Sequence, residues 1–492
     1  MKLTISSPKK WDFSRPCGIC VLTDEKSALG NPFNKPALDG KIQDKINGLS
    51  SKTFTAQMEV LNHESSVIFI IPLPKKAGLD RNERIRLAAA TALGALKERA
   101  IKKAFFPLEK TKQVEFQAVL EGFMYSSYEF SKYKSKRKKA KPPDLVLTVG
   151  GTKIKEYNAL HRETRVMFQG IDFCRDLVNE PAHALPPGKL AAEANKRGRA
   201  LGVKVSIKKP DQLKKQGFNG LITVGKGSSS TPRMVTLTYS GAKQKSPGGK
   251  YHLVLVGKGI TFDTGGISLK PPSGMWEMKS DMAGAATALT AMLVIAGLKL
   301  KVKVSAVLTL AENRPGHAAV LPGDIFTAKN GKTIMVDNTD AEGRLILTDG
   351  LAQAGIIGAT HIVDIATLTG SIVRAIGPCM AGLFSNNAAL AKRLKNIGKS
   401  VGEKFWEMPL EPEYRSYLDD PVADMKNIGK VEAGSITAAL FLKEFVPDRT
   451  PWLHFDIAGT AFTTKQWKYF SEGATGFGVK TLVAMAKSMA NG

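Results

Sequence analysis

The distribution of apolar and polar positions along the chain predicts an alternation of strands and helices. Cys17–Thr23 and Ser66–Pro72 are short apolar runs of the kind buried on both faces of a sheet. Arg81 to Phe105 mixes Ala and Leu with Lys and Arg as a helix does, and Pro107 stands just beyond. Asp144–Val149 predicts a further strand, closed by Gly150-Gly151. Leu160, Met167, Ile171, Cys174 and Val178 then share one helical face, with Arg162, Glu163 and Arg165 between them, up to a stop at Asn179-Glu180-Pro181. Past that helix, Lys204–Ile207, Leu221–Val224, Met234–Thr238, His252–Val256, Val302–Leu310 and His361–Thr367 read as strands, and Asp281–Leu298 as a helix. Such alternation predicts an α/β protein of two domains. A smaller N-terminal α/β domain would cover 1–155, a connecting helix 156–180, and a larger C-terminal α/β domain 181–492, built around a mixed, largely parallel sheet.

Composition narrows this picture. At 492 residues, 43% hydrophobic and 23% charged, the chain has ample material for a core, which excludes a disordered tail or a collagen-like repeat. Met282–Leu298 is uncharged but carries Gly and Thr and sits at the lower length limit for a bilayer span, so no membrane association is expected. The first residues lack the apolar stretch of a secretory signal, and four cysteines are few for a secreted framework, so the expected compartment is the cytoplasm. Cys17 and Cys20 form a lone Cys-x-x-Cys with no second Cys or His pair at zinc spacing; they read as thiols on or beside a strand.

The net charge of +27 raises the question of a nucleic-acid partner. Residues 1–150 hold 27 basic and 15 acidic side chains and residues 201–250 hold 10 and 1, whereas residues 251–350 hold 10 and 9. The densest run is Lys132, Lys134, Lys136, Arg137, Lys138, Lys139 and Lys141, followed by Pro142-Pro143. A solvated loop is the plainer reading. Nucleic-acid binding is the sharper one and is not favoured, because Tyr133 is the sole aromatic inside the run and no recognition motif surrounds it.

Several familiar motifs fail. Gly220-Leu-Ile-Thr-Val-Gly225-Lys226-Gly227 lacks the final hydroxyl of a phosphate-binding loop, and strand formers fill its centre. No Gly-x-Ser-x-Gly elbow and no His-Glu-x-x-His occurs. The loops after the apolar strands are more informative, since open α/β sheets bind ligands beyond their strands' carboxyl ends. Lys258 and Asp263 stand after Val256, followed by Gly265-Gly266, which let the backbone approach something closely. Asp281 precedes an apolar helix and, alone, reads as its N-cap. Asp340 and Glu342 are two apart, so on an extended segment they share a side, and paired carboxylates repel unless a cation or proton lies between them. Together these residues predict a metal site.

Asn338-Thr-Asp-Ala-Glu-Gly-Arg-Leu345, with Val256-Gly-Lys-Gly-Ile-Thr-Phe-Asp-Thr-Gly-Gly266, resembles the leucyl aminopeptidase (cytosol aminopeptidase) family. The resemblance extends through Asn179-Glu180-Pro181, Asp281–Ala286, Ala366–Gly370, Asp424-Met-Lys-Asn-Ile-Gly429 and Asp456–Gly459. It implies a two-metal aminopeptidase whose C-terminal domain is catalytic and which releases leucine or other apolar residues from peptide N-termini. Lys258, Asp263, Asp281, Asp340 and Glu342 would hold two divalent ions, with the carbonyl of Asp340 as a further ligand. An oxygen-rich set without imidazole suits Mn2+ or Zn2+, and also Mg2+ or Co2+. The ions would activate the attacking water. Lys258 can ligate only as a neutral amine, which requires the ions to lower its pKa. By the resemblance, Lys270 would stabilise the oxyanion and Arg344 would hold a bicarbonate ion as general base. Met278, Thr367, Gly370, Ala458 and Ala461 would line the pocket for the first side chain. A homohexamer acting on peptides is the implied assembly. The competing reading is a DNA-binding accessory protein that uses the basic N-terminal region, with or without peptidase activity.

Overall fold

The computed structural model describes residues 1–7, 17–24, 27–28, 58–63, 66–74, 78–136, 142–241 and 250–491. Arg137, Lys138, Lys139 and Lys141 of the basic run lie outside these residues. The chain divides into two compact units: residues 1–168 with 465–472, and residues 169–464 with 473–492.

The first unit is built on a seven-stranded sheet. Its elements are β1 (Leu3–Ser6), β2 (Gly18–Asp24), β3 (Ser27–Ala28), β4 (Glu59–His63), β5 (Ser66–Pro72), α1 (Arg81–Glu98), β6 (Lys103–Pro107), α2 (Gln113–Ser127) and β7 (Asp144–Thr148). The order β1-β7-β6-β2-β5 is parallel throughout, and β4 and β3 pair antiparallel at β5 and β2. Cys20 and Cys17 are free, buried thiols on and just before β2. The helix expected to reach Phe105 ends at Glu98. Ala100 adopts a left-handed φ of 53°, and Lys103–Pro107 instead pairs with both β2 and β7. A sheet partner on each side outweighs the local helical pattern. Residues 465–472, expected with the C-terminal domain, belong to this unit, where Tyr469 stacks on Tyr125 with ring centroids 4.7 Å apart.

The helix α3 (Ile154–Asn179) runs from the first unit into the second. The second unit continues with α4 (Pro187–Ala200), β8 (Lys204–Lys208), α5 (Pro210–Lys215), α6 (Asn219–Gly225), β9 (Arg233–Ser240), β10 (His252–Asp263), α7 (Ala283–Gly297) and β11 (Lys303–Asn313). After these come β12 (Ile325–Thr327), β13 (Thr333–Met335), α8 (Glu342–Ile356), β14 (His361–Ala366), α9 (Gly370–Ile376), β15 (Ala381–Ser385) and α10 (Ala388–Val401). The last elements are β16 (Phe405–Glu407), β17 (Met425–Lys426), α11 (Gly434–Lys443), β18 (Trp452–Asp456), β19 (Phe462–Thr463), β20 (Gly473–Ala474) and α12 (Val479–Ala490). Eight strands form the main sheet in the order β16-β15-β18-β14-β10-β11-β9-β8, parallel from β18 to β11 and antiparallel at β15/β18, β11/β9 and β9/β8. This is the expected mixed sheet with a parallel centre.

Three local readings are corrected here. Leu221–Val224 is helical, within α6, because the Asp349 carboxylate accepts from Leu221 N at 2.7 Å and so meets an open N–H of that helix from α8. β10 does not stop at Val256 but runs twelve residues to Asp263, so Lys258 lies mid-strand. Asp281 does not cap α7: Met282 holds that position, and the Asp281 side chain turns to Thr367 and Lys258 instead. The stretch Met275–Gly297 is long and apolar enough to cross a bilayer, yet 94% of its most apolar window is buried within the protein. It is a core helix.

Candidate active site

The central parallel strands deliver the expected residues to one place. β10 carries Lys258 and ends in Asp263; the turn before α7 carries Asp281; α8 opens with Glu342, and Asp340 lies two residues before it. Oxygens of Asp263, Asp340 and Glu342 lie within 4.8 Å of one another. Asp340 and Glu342 converge across a helix entry rather than along an extended segment. Asp340 N is held by Asn338 Oδ1 at 2.8 Å, and Glu342 occupies the first turn, where a carboxylate faces the positive end of the helix.

Two lysines bind the acids together. Lys258 Nζ stands 2.8 Å from Asp281 Oδ1, 2.9 Å from Glu342 Oε1 and 2.8 Å from the carbonyl of Thr367. Lys270 Nζ stands 2.9 Å from Asp263 Oδ2 and 2.5 Å from Asp340 Oδ1. The Lys258 stem lies against the backbone of α8, since a Cβ on Gly343 would meet its Cε and Nζ at 2.6 Å. The loop after β10 turns on Gly265 and Gly266, with φ of 87° and 69°, conformations that glycine adopts without strain. Thr339 Oγ1 donates to Gly265 O at 2.6 Å, which ties this loop to that of Asp340.

Burial and mutual repulsion dominate the electrostatics. Burial first, and then the neighbouring Glu342, push Asp263 up to about 7. Burial likewise raises Asp281 and Asp340. Burial would raise Glu342 too, but Lys258 and Lys270 outweigh it and hold that acid below its ordinary range. Burial opposes the charge on Lys258, yet Asp281, Glu342 and Asp263 keep it firmly protonated when the acids are its only neighbours. Four carboxylates therefore face two ammonium groups, and buried charge left uncompensated costs several kcal/mol. Asp281 Oδ2 is buried with no partner among the described residues. A donor set of hard oxygens with a negative surplus fits divalent cations.

Arg344, on the first turn of α8, is buried; its Nη1 donates to Asn427 O at 2.8 Å, and its Nε has no partner among the described residues. Burial lowers its pKa to about 10, against the pull of Glu342 and Asp456. Of the expected pocket residues, Thr367 is anchored by its hydroxyl to Asp281 Oδ1 at 2.7 Å, and Met278 O accepts from Asp281 N at 3.2 Å. Asp456 Oδ1 accepts from Leu368 N at 3.1 Å and from Ala458 N at 3.3 Å, joining the loop of Thr367 and Gly370 to that of Ala458. Ala461 is buried, with its backbone bonded to Ile457 and Thr475.

Sequence reasoning overlooked Asn313 and Asn427. Asn313, the register partner of Asp263 on β11, donates from Nδ2 to Asp263 Oδ1 at 2.8 Å and to Thr339 O at 3.0 Å. A neutral amide leaves no charge pattern to notice. Asn427 does lie in one of the stretches that carry the family resemblance.

A parallel-centred α/β unit that gathers buried acids and lysines beside its strand ends has the architecture of a metal-dependent hydrolase. The catalytic-domain profile of the cytosol aminopeptidase family matches residues 172–483. A probable cytosol aminopeptidase of Solibacter usitatus is 42% identical over 440 residues, 87% of this chain and 89% of the relative. One from Streptomyces griseus is 41% identical over 487 residues, 94% and 93%. A tomato leucine aminopeptidase mutant superposes with a TM-score of 0.86 at 29% identity, covering 99% of this chain and 96% of that one. The bottromycin maturation enzyme BotP, in complex with Mn, does so with a TM-score of 0.83 at 29% identity, covering 96% and 99%. The chain belongs to the cytosol aminopeptidase family and is a leucyl aminopeptidase-type metallohydrolase.

Proposed function

We propose that the chain is a two-metal aminopeptidase that removes leucine and other apolar residues from peptide N-termini. The observation that carries this is the gathering of Asp263, Asp340 and Glu342 oxygens within 4.8 Å, in a cluster with more acids than bases. Those three acids, with Asp281 and Lys258, would hold the ions; Mn2+ or Zn2+ suits the set, and the Mn complex of BotP supports the first. Bound ions would supply an activated water and polarise the scissile carbonyl.

The chain's own groups do the rest. Lys270 is partly exposed and aimed at the acids, so its ammonium faces the place where negative charge develops on the carbonyl oxygen. The unpartnered Nε of Arg344 is a buried donor that suits a planar anion, which supports bicarbonate there as the proton acceptor. Met278, Thr367, Gly370, Ala458 and Ala461 would bound a mostly apolar pocket, hence the preference for leucine. The names of the relatives support a cytoplasmic location, and the family resemblance a homohexamer.

Chelation tests this reading. Hydrolysis of leucine-p-nitroanilide should vanish when metal is removed completely and return with Mn2+ or Zn2+. Activity untouched by complete removal overturns it.

A further inference from the structure

Asn427, two residues past Met425 at the start of β17, has none of the roles described so far beyond its carbonyl's contact with Arg344. It is wholly buried, and every polar atom of its side chain is used. Its Oδ1 accepts from the backbone N–H groups of Asp337 at 2.9 Å and Asn338 at 3.2 Å. Its Nδ2 donates to the carbonyls of Asn338 at 2.7 Å and Ala341 at 3.4 Å. Its own N–H donates to Met335 O at 3.0 Å, and its carbonyl receives Arg344 Nη1 at 2.8 Å.

Two donors on one side and two acceptors on the other determine which way the amide lies, because the flipped amide would put like against like. The residue therefore grips both ends of the segment 337–341, which contains Asp340 and leads directly into Glu342. Through its carbonyl it also fixes the guanidinium two residues further on. An aspartate of the same shape would turn an acceptor toward two carbonyls, and an alanine would take a partner from two backbone N–H groups and two carbonyls.

We infer that Asn427 is a positioning residue that sets the mutual placement of Asp340, Glu342 and Arg344. This rests on the two-metal reading. The segment it grips is short and carries the ligands themselves, so loosening it moves the acids before it disturbs the sheet.

The test titrates the full chain, Asn427→Ala and Asn427→Asp with Mn2+ by electron paramagnetic resonance. It also measures kcat and KM on leucine-p-nitroanilide at saturating metal, and melting temperature as a check on folding. Mn2+ affinity and kcat should each fall by about 10- to 100-fold in both variants, as for other residues that orient metal ligands. KM should stay within about threefold, the pattern of a defect in the reacting geometry rather than in peptide binding. If Asn427→Ala does not fold, Asn427→Asp carries the test. Folded variants that bind Mn2+ and turn over like the parent overturn the positioning role alone, and so does lowered stability with unchanged affinity and kcat. A parent chain that takes up no Mn2+ overturns the two-metal reading and this inference with it.

Discussion

Two buried clusters of charge, one in each unit, are composed differently. In the first unit Arg86 lies 2.6 Å from Glu121 and 3.1 Å from Glu83, and Lys468 closes on Glu83 at 2.7 Å. Gln117 and the Tyr469 hydroxyl donate to the same two acids. Among the described residues, two acids meet two bases there. In the second unit four acids meet two lysines, and an oxygen of Asp281 is left over. Among the described residues the first cluster balances its acids with bases, whereas the second holds a surplus of acids that cations or protons must offset. The count of buried charges is thus a poor guide to a functional site; the imbalance among them is the better one.

The comparison can be broken most sharply at Glu342. Glu342→Ala should lower kcat/KM by more than about 100-fold, since a direct ligand should matter at least as much as the groups that orient it. The urea midpoint should fall less than in Arg86→Ala, because Asp281 still pairs with Lys258. A near-parent rate would remove Glu342 from the mechanism. Arg86→Ala should do the reverse. It takes the guanidinium away from two buried carboxylates and should cost about 3–5 kcal/mol in urea denaturation, with the rate per folded molecule unchanged. A loss well under 1 kcal/mol, roughly what exposed pairs give, would show that the buried cluster contributes no more than an exposed pair does.

Asp349 is a third, smaller case: a buried acid of α8 met by the Leu221 N–H, with no lysine bonded to it among the described residues. Burial pushes its pKa up to about 7, from an ordinary 3.8. Between those values the folded state holds a proton that the unfolded state has lost. Its contribution therefore falls as pH rises through that window, by up to about 1.4 kcal/mol per pH unit. Asp349→Asn keeps an oxygen for Leu221 and should flatten this slope, leaving the variant more stable than the parent above neutrality. Urea midpoints taken below and above pH 7 check it, and parallel slopes would show that Asp349 does not titrate in this window.

Elements whose pattern is local were legible in the sequence. β5 begins and ends where its apolar run does, and α3 follows its hydrophobic stripe. Elements decided from afar were not. The helical state of Leu221–Val224 depends on an acid 128 residues downstream. The convergence of Asp340 and Glu342 depends on Asn427, about 90 residues on. At the site, charged residues betrayed themselves by type and spacing. Asn313, which works through an amide and through its register with Asp263, did not. β10 runs past Val256 for a related reason. Glycines at 257 and 259 look like a loop, whereas they admit α7 close to the strand, since a Cβ on Gly257 would lie 2.6 Å from Ala285 Cα.

The contact between Lys258 and Gly343 has a consequence of another kind. With no side chain at 343, the strand bearing Asp263 and the helix bearing Glu342 stand apart by the thickness of one lysine stem. Lys258 is thus a spacer as well as a donor, and its four-carbon chain gauges the width of the site. An arginine there would keep the charge and lose the gauge. Charge equivalence at this position is no guide to interchangeability.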